Sequence, residues 1–277
     1  MAEVEWARMT APELKDLAAR DALVVLPVAS LEQHGPHLPT SVDTLLATEV
    51  SLRAARLVAA REKVVVLPCQ WMGMSEHHFP YGGTISLDYA TFAGVLRCVA
   101  RSLKACGFRR LFVVNGHGGN TDPLAVAVRE LALELDMAIA GATYWIAAAA
   151  AVGGILERQK NIQHACEGET AMMMVAAPAL VRRERLEEAA SGPGSAPSGE
   201  VADVASPDGP GIQRFRSFAE RAPVTGVRGD PRAATPEKGE ALLQAVAANL
   251  AAAMTSRALW SAPDPVWRPG RPFASPG

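Results

Sequence analysis

Apolar residues fall along this chain in two alternating rhythms. Residues 23–29, 64–68, 111–114 and 137–145 are short, nearly unbroken apolar runs, and each predicts a buried strand. Between them, residues 11–20, 43–61, 88–106 and 122–135 carry the wider spacing of amphipathic helices, with Ser41 as a candidate cap for the second and Gly107 closing the third. Unbroken apolar strands that alternate with helices predict a mainly parallel sheet covered on both faces, an α/β architecture. Beyond residue 164 the rhythm changes. HACEGETAMMMVAAPALV predicts a buried helix after a loop, and residues 235–256 a final helix opened by Thr235-Pro236 with Glu237 in its first turn. Residues 186–211, rich in Ser, Gly, Pro and Ala, predict a long surface excursion, and the Pro-rich stretch 261–277 an irregular tail.

Composition narrows the class. With 277 residues, 49% hydrophobic, the chain has ample core for a globular fold. A formal net charge of −2 with no basic block speaks against a nucleic-acid partner. No run predicts a membrane span, and the first twenty residues lack the basic-then-apolar signature of a secretory signal. Cys69, Cys98, Cys106 and Cys166 are scattered and form no CxxC pair, as expected for a reducing cytoplasm.

The chemistry concentrates at the strand ends. Residues 32–43, EQHGPHLPTSVD, follow the first strand and hold Glu32, His34 and Asp43, three good metal ligands. In extended backbone, residues two apart point the same way, so Glu32 and His34 can serve one ion or two adjacent ones. Asp43 falls near the start of the next helix, where its carboxylate can bridge two ions or merely cap the helix. The six histidines (His34, His37, His77, His78, His117 and His164) all follow strands or lie in loops. In a parallel sheet those positions share one edge and can converge. NGHGGN at 115–120 is a glycine-rich turn between strand and helix, without the GxGxxG spacing or the GK[ST] ending of a phosphate loop. Mixed His and carboxylate donors suit Zn²⁺, Mn²⁺ or Fe²⁺.

Taken in order, five motifs resemble those of the creatininase (creatinine amidohydrolase) family: PVASLEQHGPHLPTSVDT, FPYGGTISL, NGHGGN, HACEGET and TGVRGDPRAATPEKGE. The resemblance covers most of the chain and implies one creatininase-like domain over 1–277 with a three-layer α/β/α fold, in homohexamers built from dimers. It also implies two divalent ions per subunit, one held by Glu32 and His117, the other by His34, with Asp43 between them. Where creatininase itself follows the third-motif histidine with Tyr and then a ligating Glu, this chain has Gly118 and Gly119. Glu169, or Glu167, is then expected to complete the second site, with Glu169 the better choice. The same change removes an aromatic neighbour of the substrate and argues against creatinine. Cys166, in place of the motif's usual Gly, is expected to be a small packed residue rather than a ligand.

The implied reaction is attack by a metal-activated water on an amide, cyclic amide or formamide carbonyl. His164 is the expected proton shuttle, with Glu167 an alternative general base. His78, Trp145, Gly118 and Gly119 are expected around the substrate. Creatinine hydrolysis, deformylation of a formamidopyrimidine-type intermediate and trimming of a modified peptide are alternatives within the family. A non-catalytic metal-binding protein and a single-iron redox or isomerase activity lie outside it.

Overall fold

The computed structural model describes residues 3–190 and 215–260. The expected excursion therefore lies mostly, and the expected tail wholly, outside the described residues. Four parallel strands, β1 (Leu23–Val28), β2 (Val64–Val66), β3 (Arg110–Asn115) and β4 (Ala138–Thr143), form one sheet in the order β2-β1-β3-β4. The sequence contains Pro27 in the middle of this sheet, where a missing N–H normally costs a ladder bond. It is tolerated because pairing with β2 ends at Val25↔Val66, and the Pro27 carbonyl on that flank instead accepts from Gln70 N at 2.9 Å.

Strand parity explains the layers. Leu23 and Val25 point into one apolar cluster, and Val24, Leu26 and Val28 into another on the opposite face. The first cluster is closed by α2 (Val42–Val58), α7 (Glu167–Ala176) and α9 (Pro236–Met254); the second by α1 (Ala11–Ala19), α3 (Tyr89–Ala105) and α4 (Thr121–Leu135). Shorter helices α5 (Tyr144–Ala147), α6 (Ala149–Ile155), α8 (Leu186–Ala189) and α10 (Arg257–Trp260) complete the set. The three-layer α/β/α arrangement is thus present, with every paired strand of the sheet parallel.

Several ends differ from expectation for local reasons. The second helix stops at Val58 rather than 61, and Ser41 sits at its N-cap without a side-chain bond. The fourth strand ends at Thr143, so Trp145 lies in the one-turn helix α5 rather than on the strand. Thr235 opens the last helix as its cap, accepting from Lys238 N, and Asp88 caps α3 in the same way, accepting from Thr91 N.

The chain leaves β1 through α2 on one face to reach β2. It then crosses by α3 and α4 on the other face to β3 and β4. The carboxyl ends of β1 and β3 therefore diverge at a topological switch point, the usual crevice for a ligand in an open α/β sheet.

Candidate metal centre and active site

Both strands that flank the switch point deliver side chains into it. The loop after β1 supplies Glu32 and His34, α2 contributes Asp43 from its first turn, and the turn after β3 supplies His117. Helix α7 adds Glu169 from the opposite layer. All five are buried, none more than 3% exposed.

Asp43 stands between two imidazoles. Its Oδ1 lies 3.1 Å from His34 Nε2 and its Oδ2 3.1 Å from His117 Nδ1. Glu32 Oε2 is also 3.1 Å from His117 Nδ1, and Glu169 Oε2 is 3.9 Å from His34 Nε2. The donor atoms sort into groups in which all lie within 4.8 Å of one another: Glu32, His77 and His117; His34, Asp43 and Glu169; and Glu32, His34 and His164.

Neighbouring polar groups aim these side chains. His34 Nδ1 faces the Glu32 carbonyl at 3.2 Å, which fixes the ring and turns Nε2 inward. His117 Nε2 faces the Met74 carbonyl at 3.0 Å, leaving Nδ1 for the cluster. Ser75 donates to Glu32 Oε2 at 2.6 Å. Glu169 accepts the backbone N–H of Ala165, a residue held at φ +53°, where a side chain is disfavoured.

The electrostatics are those of buried acids in want of a cation. Burial opposes a charged His34, yet Asp43, Glu169 and Glu32 together push it up to about 9. Burial and these acids act in the same opposed way on His117, which is raised well above the usual histidine range. Burial would lift Asp43, but His34 and His117 bring it down to about 2. Glu169 is pushed up to about 7, chiefly by burial. His34 Nε2 and Asp43 Oδ2 are buried and lie 3.1 Å from Asp43 Oδ1 and His117 Nδ1, yet neither contact has the geometry of a hydrogen bond. Buried polar atoms left without a well-formed hydrogen bond, in a mixed imidazole and carboxylate set, fit a hard-to-borderline divalent ion.

The expected site residues divide clearly. Glu32, His34, Asp43, His117 and Glu169 are brought together. His78 Nε2 lies 3.3 Å from Glu32 Oε1, and its ring stacks on Phe218 with centroids 4.4 Å apart. His164, Trp145, Gly118 and Gly119 line the same cavity, about 660 Å³ in volume.

Glu167 is not brought there, which corrects its expected place as a general base. It is fully buried against the loop before α7, accepting from Glu157 N and Arg158 N and pairing with Lys238 Nζ at 2.8 Å. Two residues along a helix turn about 200°, so Glu167 and Glu169 face opposite ways. His37 also stays outside, bonded to Thr170 Oγ1 at 2.9 Å. Cys166 is buried and packed, as expected.

Two contributors were not singled out by the sequence. His77 joins Glu32 and His117; its place beside His78 in a short 3-10 helix was the available signal. Gln33 Nε2 reaches His78 Nδ1 and His164 Nε2, each at 3.0 Å, and the Gly226 carbonyl at 2.9 Å. A glutamine between two ligands carries no sequence signature of that kind.

The two glycines of the third motif have different reasons. A Cβ on Gly119 would lie 2.3 Å from the Met74 carbonyl oxygen and 2.5 Å from His117 Nε2, whereas one on Gly118 would meet nothing within 4 Å. Gly119 is closed to a side chain and Gly118 is open to the cavity.

A parallel sheet whose switch point gathers buried imidazoles and carboxylates has the donor set of a metal-binding α/β protein. A family model described as creatininase, creatinine amidohydrolase, matches residues 7–254. The chain is 34% identical over 225 residues to the mycofactocin precursor peptide peptidase of Mycobacterium ulcerans (strain Agy99), covering 78% of each chain. It is 30% identical over 256 residues to the creatinine amidohydrolase of Pseudomonas putida, covering 86% of this chain and 90% of that one. The crystal structure of a creatinine amidohydrolase (creatininase) superposes with a TM-score of 0.72 at 30% identity, over 92% of this chain and 97% of the other. Solved creatininases include a manganese form and a mutant of zinc–zinc type.

The chain belongs to the creatininase family. It is a metal-dependent hydrolase of carbon–nitrogen bonds other than ordinary peptide bonds.

Proposed function

We propose that this chain binds two divalent ions per subunit, of zinc, manganese or iron, and hydrolyses an amide, cyclic amide or formamide other than creatinine. One ion is assigned to Glu32 and His117, with His77 beside them, and the other to His34 and Glu169. Asp43 serves both. The observation that carries this reading is the Asp43 carboxylate, which turns one oxygen to each imidazole at 3.1 Å.

When bound, such ions polarise a carbonyl and lower the pKa of a water toward neutrality. The chain's own residues supply the rest. His164 Nε2 lies 2.7 Å from the Gln33 carbonyl. Donation of that N–H leaves the lone pair of Nδ1 facing the cluster, 3.5 Å from Glu32 Oε1. His164 is therefore assigned to carry a proton at Nδ1, to the leaving nitrogen. Gln33 orients His164 through its backbone carbonyl and His78 through its side-chain amide, which donates to His78 Nδ1. Phe218 and Trp145 form apolar wall, which lowers the local dielectric around the reacting groups.

Gly118 and Gly119 support a substrate other than creatinine. Gly118 leaves cavity space where creatininase carries an aromatic ring, and Gly119 excludes the acid that creatininase uses. Among the described residues no helix is long and apolar enough to cross a membrane. A cytoplasmic homohexamer acting on a small molecule, without nucleic acid or membrane partners, and a single domain over 1–277 complete the proposal.

Metal analysis of protein purified without added metal, followed by assays on creatinine, formamidopyrimidines and small lactams, tests it. Two ions per subunit and turnover of an amide other than creatinine are expected. One ion per subunit would overturn the two-ion assignment, and efficient creatinine turnover would overturn the substrate reading.

A further inference from the structure

Within the cavity just described, Arg228 has no role in holding the ligand cluster. It belongs to the segment TGVRGDP, which runs antiparallel to the residues before α7. Arg228 and His164 exchange both backbone bonds, His164 N to Arg228 O at 3.2 Å and Arg228 N to His164 O at 2.9 Å. Residues paired in this way project their side chains from the same face of the ladder, with Cα atoms about 5.5 Å apart. The pairing that sends His164 to the metal centre thus sends Arg228 into the same cavity, whose wall it lines.

The backbone that carries Arg228 has little freedom. Gly229 follows at φ +110°, and a Cβ there would lie 2.8 Å from that of Cys166. On the other side, Val227 is 1% exposed. A side chain on so fixed a mount is already oriented before a ligand arrives.

The neighbouring arginines are committed elsewhere. Arg232 pairs with Asp230 at 2.8 Å, and Arg158 lies 3.9 Å from the same carboxylate. The Arg228 guanidinium has no such partner among the described residues. Arg216 and Arg221 share the cavity wall, where the acid outside the ligand cluster is Asp122. A half-buried guanidinium with a planar fork of donors is suited to a two-pronged grip on a carboxylate or phosphate.

We propose that the substrate carries an anionic oxyacid group, a carboxylate or a phosphate ester, and that Arg228 receives it beside the reacting carbon–nitrogen bond. This deepens the amide-hydrolase reading and rests on it for the reaction, while the anion site itself can be measured alone.

The test is calorimetric titration of the metal-loaded enzyme and of its Arg228→Gln and Arg228→Lys variants. The titrants are inorganic phosphate, succinate and, as a neutral control, succinamide. Binding of phosphate or succinate should weaken about tenfold or more in Arg228→Gln, corresponding to one charge-assisted contact. Arg228→Lys should fall between the two, and the anion whose affinity drops more identifies the group. Equal affinities in wild type and Arg228→Gln would place the anions on the metal ions alone and overturn the proposal, as would no binding to the wild type. Failure of the hydrolase reading would show separately, as absent metal or absent turnover with the arginine effect intact.

Discussion

Asp43 faces His34 with one carboxylate oxygen and His117 with the other, each at 3.1 Å. Because the acid sits between both halves of the centre, its loss should affect both. Asp43→Asn keeps the shape but removes the bridging charge. Metal content measured by mass spectrometry should fall from two ions per subunit to one or none, and turnover by about 100-fold or more. Two retained ions in Asp43→Asn would sink the bridging assignment.

His164 should separate binding from chemistry. His164→Ala is expected to retain its metal while kcat falls by roughly 10²–10⁴-fold, the usual span for a lost proton-transfer group. An enzyme with unchanged kcat would remove His164 from the reaction, and loss of metal would make it a ligand instead.

The two glycines after His117 should respond in opposite ways. Gly118→Tyr is expected to fold with unchanged Tm, because its Cβ opens into the cavity, and to raise KM for bulky amides. Gly119→Glu brings back the acid of the creatininase pattern but drives its Cβ into the Met74 carbonyl and His117. It should lose metal and stability together. A well-folded Gly119→Glu protein with two ions would show that the turn can shift at small cost.

Lys238 is buried enough to matter to stability. It bonds Glu167 Oε1 at 2.8 Å and the Ala233 carbonyl at 2.7 Å, tying α9 to the start of α7. Lys238→Met leaves Glu167 buried beside two backbone N–H groups with no cation. Denaturant unfolding should show a loss of about 3 kcal/mol. A change below about 0.5 kcal/mol, the range of ordinary surface substitutions, would mean the pair contributes nothing.

Chelation should destabilise the protein through the same centre. Ions present at a hundred times their Kd stabilise a native state by about 2.7 kcal/mol. Wild-type Tm should therefore drop on treatment with a chelator, and that of Asp43→Asn should drop by less. Equal drops in both would place the stabilising ion elsewhere.

Much of this arrangement was legible beforehand, and the exceptions have physical reasons. The first candidate ligands are visible because extended backbone after a buried strand gives Glu32 and His34 a common direction. The convergence of His117 with them followed from the parallel sheet. Glu167 and Glu169 are both acids in one motif, and only the helical rotation between them decides which faces the cluster. Trp145 reads as strand because MAIAGATYW is almost unbroken in apolar character, and the turn into a helix at Tyr144 carries no adjacent Gly or Pro to announce it. Arg228 and Gln33 depend on a pairing between residues more than sixty positions apart in one case and on a contact network in the other. Local spacing records neither.

The cluster draws on segments from Glu32 to Glu169, and its pocket on residues as late as Arg228. A nascent chain that has emerged only as far as β4 already holds Glu32, His34, Asp43 and His117. It still lacks α7 to bring Glu169, the Arg228 pairing that positions His164, and the wall that makes a cavity. Competence therefore waits on the later part of the chain, whose helices α7 and α9 also close one face of the sheet. Without it the centre has no enclosed chamber in which to act on an amide.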